Sequence, residues 1–474
     1  MTARFALWYA YKNFFGAEDV FFMKRRLCFK EYVYVASMLF GMLFGAGTLI
    51  FPVHLGQLAG GALWKALPGL LITGVGLPLL GVAALGISKS EGLFHLSGRI
   101  SRPFGMFFTC VLYLTIGPFF AIPRCATVSF TVGLEQVIPA GGNLSLWLFS
   151  FTLAFFAATL LFSLCPGKIL TWVGKILNPC FLVFLGILVF TALSNPAGNI
   201  SDLAPMGGYA ENPFFTGFLE GYNTMDVLAS LAFGIIVVRV IRRLGVEEPD
   251  AVAASTVRAG IFSCLFMGVI YAAIALVGAQ SRGIFEASAN GGIALAQIAR
   301  HYLGNAGLFV LAATVTLACL KTAVGLVTSC SETFSALFPK GPKYRVWAVI
   351  FSGVSLLFSN LGLSTIIEYS VPVLMFLYPP AIVLIFLSLL GKFYENDRAV
   401  SVCVMGFTLA AAVYDLLYAL PNHVKTALHL EGAISAVEKI LPFSDIGLGW
   451  LAPAAAGLLI GLCLRFFRKK KRPA

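Results

Sequence analysis

Charge is what this chain holds least of. Asp, Glu, Lys and Arg together make up 11% of its 474 residues, and the 21 acidic residues stand against 43 phenylalanines. A soluble domain is about 25% charged and about 45–50% apolar. Here the apolar share is 59% and the mean hydropathy +0.90. Too little polar material remains to coat water-facing domains, so the composition reads as a polytopic membrane protein.

Metal, redox and nucleotide motifs are missing as well. The ten cysteines form no CxxC pair and fall mostly inside apolar runs, where small buried thiols belong. His54, His95, His301, His423 and His429 are scattered and form no HExxH, so no transition-metal site is expected, while Na+ stays possible. The lack of a Walker A run and of any soluble domain excludes an ATP-driven pump for this chain. No Ser/His pairing and no aspartates paired at matched depth support a membrane-embedded protease or acyltransferase, which leaves an enzyme as the remote alternative. No repeated selectivity motif or long ligand domain supports a channel or receptor.

Long apolar runs are what the chain does have. Crossing a bilayer takes about 20 apolar residues, and twelve runs qualify: 32–57, 67–88, 105–133, 145–164, 168–192, 212–238, 252–278, 305–336, 346–363, 366–391, 399–419 and 446–464. The shorter stretch 291–304 carries Arg300 and His301 and reads as an interfacial helix before the eighth run. The aromatic-rich residues 1–22 either lie on the membrane surface or form an extension ahead of a start at Met23; they are not a secretory signal. Alternating the spans from a cytoplasmic N-terminus puts 26 basic residues inside and 5 outside. That is the positive-inside bias, so both termini are expected in the cytoplasm. Two basic residues, Arg124 and Lys321, stay within spans.

Two spans depart from a plain apolar helix. The first holds Gly41, Gly45, Ala46, Gly47 and Pro52, and the sixth holds Glu220-Gly221-Tyr222-Asn223-Thr224 and Asp226. Glycines of this kind serve either close helix packing or a backbone break. An intramembrane carboxylate such as Glu220 is a functional candidate or a hydrogen-bonding group that holds a broken helix. Asp226 is read equally as a cap on the second half-helix. Interrupted spans five apart are the arrangement of a five-plus-five inverted repeat with a midplane site. Half-helix N-termini suit a carboxylate and half-helix C-termini suit a cation, so the pair favours a zwitterion.

These residues resemble the branched-chain amino-acid:cation symporter family of bacteria. The matching stretches are FGAGTLIFP (44–52), GPFFAIPRCATVSF (117–130), NPCFLVFLGILV (178–189), GFLEGYNTMDVLASLAFGI (217–235), CLKTAVGLVTSCSETFS (319–335) and SVPVLMFLYP (370–379). The resemblance implies an all-α integral membrane protein with twelve transmembrane helices and the leucine-transporter-like fold. Its parts would be a cytoplasmic segment 1–31, repeats 32–192 and 212–391, two added helices in 399–464 and a basic tail 465–474. It implies import of Leu, Ile and Val in the bacterial cytoplasmic membrane, with Na+ or H+ as coupling ion, no other cofactor, no nucleic acid and no obligate protein partner. An exchanger, or a carrier for another apolar amino acid such as methionine, is the alternative.

Carried onto this chain, the resemblance assigns the substrate carboxylate to backbone amides at Gly45, Ala46 and Gly47. The amino group falls to carbonyls near Glu220 and Gly221, and the side chain to Phe119, Phe120 and Tyr222. One cation site would use groups near the breaks, including Thr48; a second would use Gly41, Phe44, Ala318, Lys321 and Thr322. Thr48 and Lys321 depart from the family pattern. An ammonium at Lys321 would repel Na+. It therefore either replaces the second Na+, leaving transport proton-coupled or uncoupled, or pairs with a buried carboxylate such as Glu220 or Glu332. Arg124 is expected to form a structural ion pair, and Glu332, Glu368 and Asp415 are expected to be structural.

Overall fold

A computed structural model of the chain describes residues 27–90, 92–139, 142–164 and 178–470. Most of the N-terminal segment 1–31, the start of the fifth span and the last four residues of the tail lie outside the described residues.

Among the described residues all regular structure is helical, and the helices make twelve passes. Helix length decides where passes divide. The helical run Ala46–Ile87 has 42 residues, about 63 Å at 1.5 Å per residue, twice the roughly 30 Å of bilayer hydrocarbon. It turns at Gly60–Ala62, where Gly60 takes φ +48°, and so holds the second half of pass 1 and all of pass 2. The 47-residue helix Gly291–Leu337 bends in the same way at Gly304, φ +63°. Its first segment is the expected short helix, and the remainder is pass 8. Polar side chains start several helices by taking an orphan amide: Asn290 accepts from Gly292 and Ile293, Ser101 from Phe104 and Asp397 from Ala399. Pass 12 begins at Leu451, five residues after the sequence boundary, because residues 442–447 form turns that end at Gly447 (φ +70°).

Passes 1 and 6 are both broken. Pass 1 comprises Phe29–Leu43 and Ala46–Ala59, separated by extended backbone at Phe44 and Gly45. Pass 6 comprises Pro213–Asn223 and Asp226–Arg243, which diverge by 43° across Thr224 and Met225. Met225 has φ +61°, a left-handed conformation that costs a side-chain-bearing residue about 1–2 kcal/mol. Pass 3 has a third interruption, at Gly117 between Arg102–Leu114 and Ala121–Val132.

Packing divides the passes into groups. Passes 1, 2, 6 and 7 lie against one another; passes 3, 4, 8 and 9 form a second set; and pass 11 packs between passes 10 and 12. Without a hydrophobic force between helices in lipid, close approach depends on small residues. A Cβ at Gly56 of pass 1 would collide with the backbone of Ala275 and Ala279 in pass 7, and one at Gly278 would collide with Val53. Gly69 and Gly217 do the same for pass 2 and the first half of pass 6. The outer surface is apolar, with Phe190, Phe309 and Leu357 more than 70% exposed, as the lipid solvent requires.

Candidate central binding site

The breaks in passes 1 and 6 face each other. A Cβ at Gly47 would stand 3.0 Å from the Thr224 carbonyl, and one at Gly45 would stand 3.1 Å from the Thr322 methyl. Between them lies a small cavity, of about 40 Å³. Gly45, Ala46, Gly47 and Thr48 line it from pass 1, Thr224, Met225 and Asp226 from pass 6, and Thr322 from pass 8. Ala46, Gly47 and Thr48 open the second half-helix of pass 1, whose first amides lack intrahelical acceptors and carry the positive dipole end.

Pass 3 gives this cavity a guanidinium. Arg124 is 2% exposed and lines the cavity beside Cys125. Its Nη1 donates to the Asn223 carbonyl at 2.8 Å, which satisfies an end of the first half-helix of pass 6, and its guanidinium carbon lies 5.0 Å from the Phe51 ring centre. One side chain thus touches both broken passes. Pass 6 supplies the opposite charge. Asp226, also 2% exposed, accepts from the Tyr271 hydroxyl of pass 7, and its backbone amide donates to the Thr224 hydroxyl at 3.4 Å. Gly74 of pass 2 leaves room for the Tyr271 ring, since a Cβ there would lie 2.8 Å from it.

The other residues singled out by sequence fall elsewhere. Glu220 and Tyr222 line a different cavity, shared with passes 10 and 11. The Gly221 carbonyl accepts from the Thr224 hydroxyl at 2.8 Å and the Tyr378 hydroxyl at 3.5 Å. Phe119 packs on Phe358 with ring centres 5.2 Å apart, and Phe120 is buried; the cavity wall from pass 3 is instead Ile116, Ala121, Arg124 and Cys125.

Of the residues assigned to a cation, Thr48 and Thr322 line the central cavity, and the others lie beside it or off its wall. The Thr322 hydroxyl lies 3.4 Å from the Phe44 carbonyl and 3.2 Å from that of Ala318. The Thr48 hydroxyl donates to the Gly45 carbonyl. Gly41 is buried in the first half-helix of pass 1, three residues before Phe44. Lys321 precedes Thr322 on pass 8 and lies off the cavity wall. Of its two suggested partners, Glu332 pairs with Arg239 at 3.4 Å and Glu220 accepts from the Asn223 side-chain amide at 3.2 Å. These carbonyl and hydroxyl oxygens are hard ligands of the kind Na+ takes, and no His/Cys/Asp/Glu cluster able to hold a metal occurs among the described residues.

A model of the family described as branched-chain amino acid transport protein matches residues 29–468. The chain belongs to that family. A branched-chain amino acid permease, BrnQ, of Lactobacillus delbrueckii subsp. lactis is 49% identical over 450 residues, which cover 95% of this chain and all of the relative. Among solved structures, the nucleobase-cation-symport-1 family transporter Mhp1 in a closed conformation aligns with a TM-score of 0.59 at 16% identity, over 93% of each chain. MhsT aligns with a TM-score of 0.53 at 14% identity, over 94% of this chain and 99% of MhsT. At such identities the likeness concerns the fold, which is leucine-transporter-like. In this member of the branched-chain family both expected spans are broken, but the pass 6 break lies at Thr224 and Met225, four residues beyond the expected Glu220 and Gly221, which are helical. Arg124 and Asp226 are visible in the sequence as intramembrane charges, where Arg124 reads as structural and Asp226 equally as functional or as a cap.

Proposed function

We propose that the protein is a secondary transporter that moves Leu, Ile and Val across the bacterial cytoplasmic membrane by alternating access, a non-enzymatic process coupled to Na+ or H+. One observation carries the reading: a cavity between two broken helices holds one guanidinium, Arg124, and one carboxylate, Asp226. A free amino acid presents the complementary carboxylate and ammonium. Membership of the branched-chain family supports the substrate class, and so does MhsT, whose structure is a complex with L-phenylalanine.

In this reading the amides of Gly45, Ala46 and Gly47, with Arg124, receive the carboxylate. Asp226 and the carbonyls of the pass 6 break receive the ammonium. Ile116, Ala121, Phe233 and Leu326 take the aliphatic side chain. The Phe44 and Ala318 carbonyls and the Thr322 hydroxyl mark the second cation position, where the Lys321 ammonium stands in for the second Na+. The 26 to 5 distribution of basic residues supports a cytoplasmic location for both termini.

Counterflow tests the substrate class. Proteoliposomes loaded with unlabelled leucine or valine accumulate labelled isoleucine, and methionine-loaded vesicles do so less. Equal or stronger counterflow with methionine contradicts the assignment.

A further inference from the structure

The first half of pass 6 borders a second cavity, of about 320 Å³, on a different face from the central one. Glu220, Tyr222 and Asn223 line it from pass 6, Leu374 and Met375 from pass 10, Tyr418 from the end of pass 11 and Asp445 from the turns ahead of pass 12. Its two lining ionisable carboxylates, Glu220 and Asp445, face no lining Lys or Arg. Arg124, which lines the central cavity, is the basic group whose field reaches Glu220, and Lys425 Nζ lies 5.3 Å from the ring centre of the lining Tyr418.

Two further observations point to a ligand. Glu220 Oε2 accepts from Asn223 at 3.2 Å, which uses one of the roughly four lone-pair positions of a carboxylate. At the wall, Tyr222 is 2% exposed and stacked on Tyr378 at 3.9 Å, yet its hydroxyl makes no hydrogen bond of acceptable geometry. The Trp450 indole N–H lies against that hydroxyl, and Asp415 Oδ2 is buried close by without a partner. Buried polar atoms without partners are rare, and of these three residues Tyr222 is the one that lines the cavity. The chemistry is a carboxylate, aromatic faces and aliphatic walls, which together suit a cation on an apolar body.

We propose that this cavity is a second binding site, for an aliphatic ammonium ion, with Glu220 as its counter-charge and Asn223 as its link to the central cavity. Asn223 touches both places: its side-chain amide donates to Glu220, while its carbonyl accepts from Arg124 at 2.8 Å. An ammonium bound to Glu220 competes with the Asn223 side-chain N–H for the carboxylate and shifts the half-helix end that Arg124 holds. Coupling between two sites is reciprocal, so occupancy here changes affinity for substrate in the central cavity. The coupling rests on the transport reading above; ammonium binding itself does not.

The probe is isopentylammonium, which has the side chain and amine of leucine without its carboxylate. Its binding to the full-length protein in nanodiscs is measured by calorimetry, and its effect on labelled isoleucine binding by equilibrium dialysis. The expected result is saturable amine binding that is lost in both Glu220→Gln and the cavity-filling Leu374→Trp. Isoleucine affinity should shift about 5-fold or more and then plateau, and Asn223→Ala should abolish that shift while amine binding remains. Amine binding that persists in both Glu220→Gln and Leu374→Trp overturns the site, as does purely competitive displacement of isoleucine without a plateau. Glu220-dependent amine binding in a protein that binds no isoleucine upholds the site and overturns the transport reading instead.

Discussion

Arg124 and Asp226 carry the recognition argument at the scale of single residues. A hydrogen bond to a charged group contributes about 1.5–3 kcal/mol, so Arg124→Gln is expected to raise the KM for isoleucine uptake about 10- to 100-fold. Arg124→Lys should recover only part of this, since an ammonium lacks the planar fork that binds a carboxylate through two parallel bonds. Asp226→Asn should weaken amino acids by a similar factor, and Tyr271→Phe, which removes one donor to Asp226, by less. Initial-rate uptake across a range of isoleucine concentrations checks the series. Lys321 has its own test: Na+-independent uptake in the parent and Na+-dependent uptake in Lys321→Thr are expected if its ammonium occupies the place of the ion. Unchanged uptake and unchanged Na+ independence in the variant contradict that role. Individual charges were legible in the sequence because so few exist, but their bearings were not. Glu220 and Asp226 are six residues apart, and the left-handed turn at Met225 between them sends one carboxylate to each cavity.

At the scale of the helical element, glycine placement controls how closely passes approach. Gly278→Val sets a side chain against the backbone of Val53. Overpacking of this kind costs about 1–3 kcal/mol, so the variant is expected to insert and then melt at a lower temperature than the parent in detergent. Gly47→Ala probes the site rather than the bundle, because its Cβ meets the Thr224 carbonyl at 3.0 Å. It is expected to lose most uptake with little change in melting temperature. The broken passes could be read from sequence, since Gly45-Ala46-Gly47 and Glu220-Gly221 interrupt otherwise apolar runs at matching positions. The rotation of pass 3 could not. In lipid both faces of a helix are apolar, so nothing in the pattern distinguishes Phe119 and Phe120 from Ile116 and Ala121. The irregular turn at Gly117 then resets the helical phase between them.

For the whole molecule, scarce charge fixed the class and its uneven placement fixed the expected orientation. The fold follows from two symmetric-looking interruptions, five passes apart, that expose helix ends to one enclosed space. The two added passes, 11 and 12, escaped functional reading because they lie outside the repeat, yet pass 11 brings Tyr418 and the buried Asp415 up to the first half of pass 6. The central claim is that the chain uses this architecture to accumulate branched-chain amino acids. The most direct measurement is uptake of labelled isoleucine into proteoliposomes of the purified protein, with Na+ and H+ gradients imposed separately. The account predicts saturable accumulation above equilibrium under at least one gradient, greatly reduced in Arg124→Gln. No saturable uptake of any aliphatic amino acid under either gradient would contradict it.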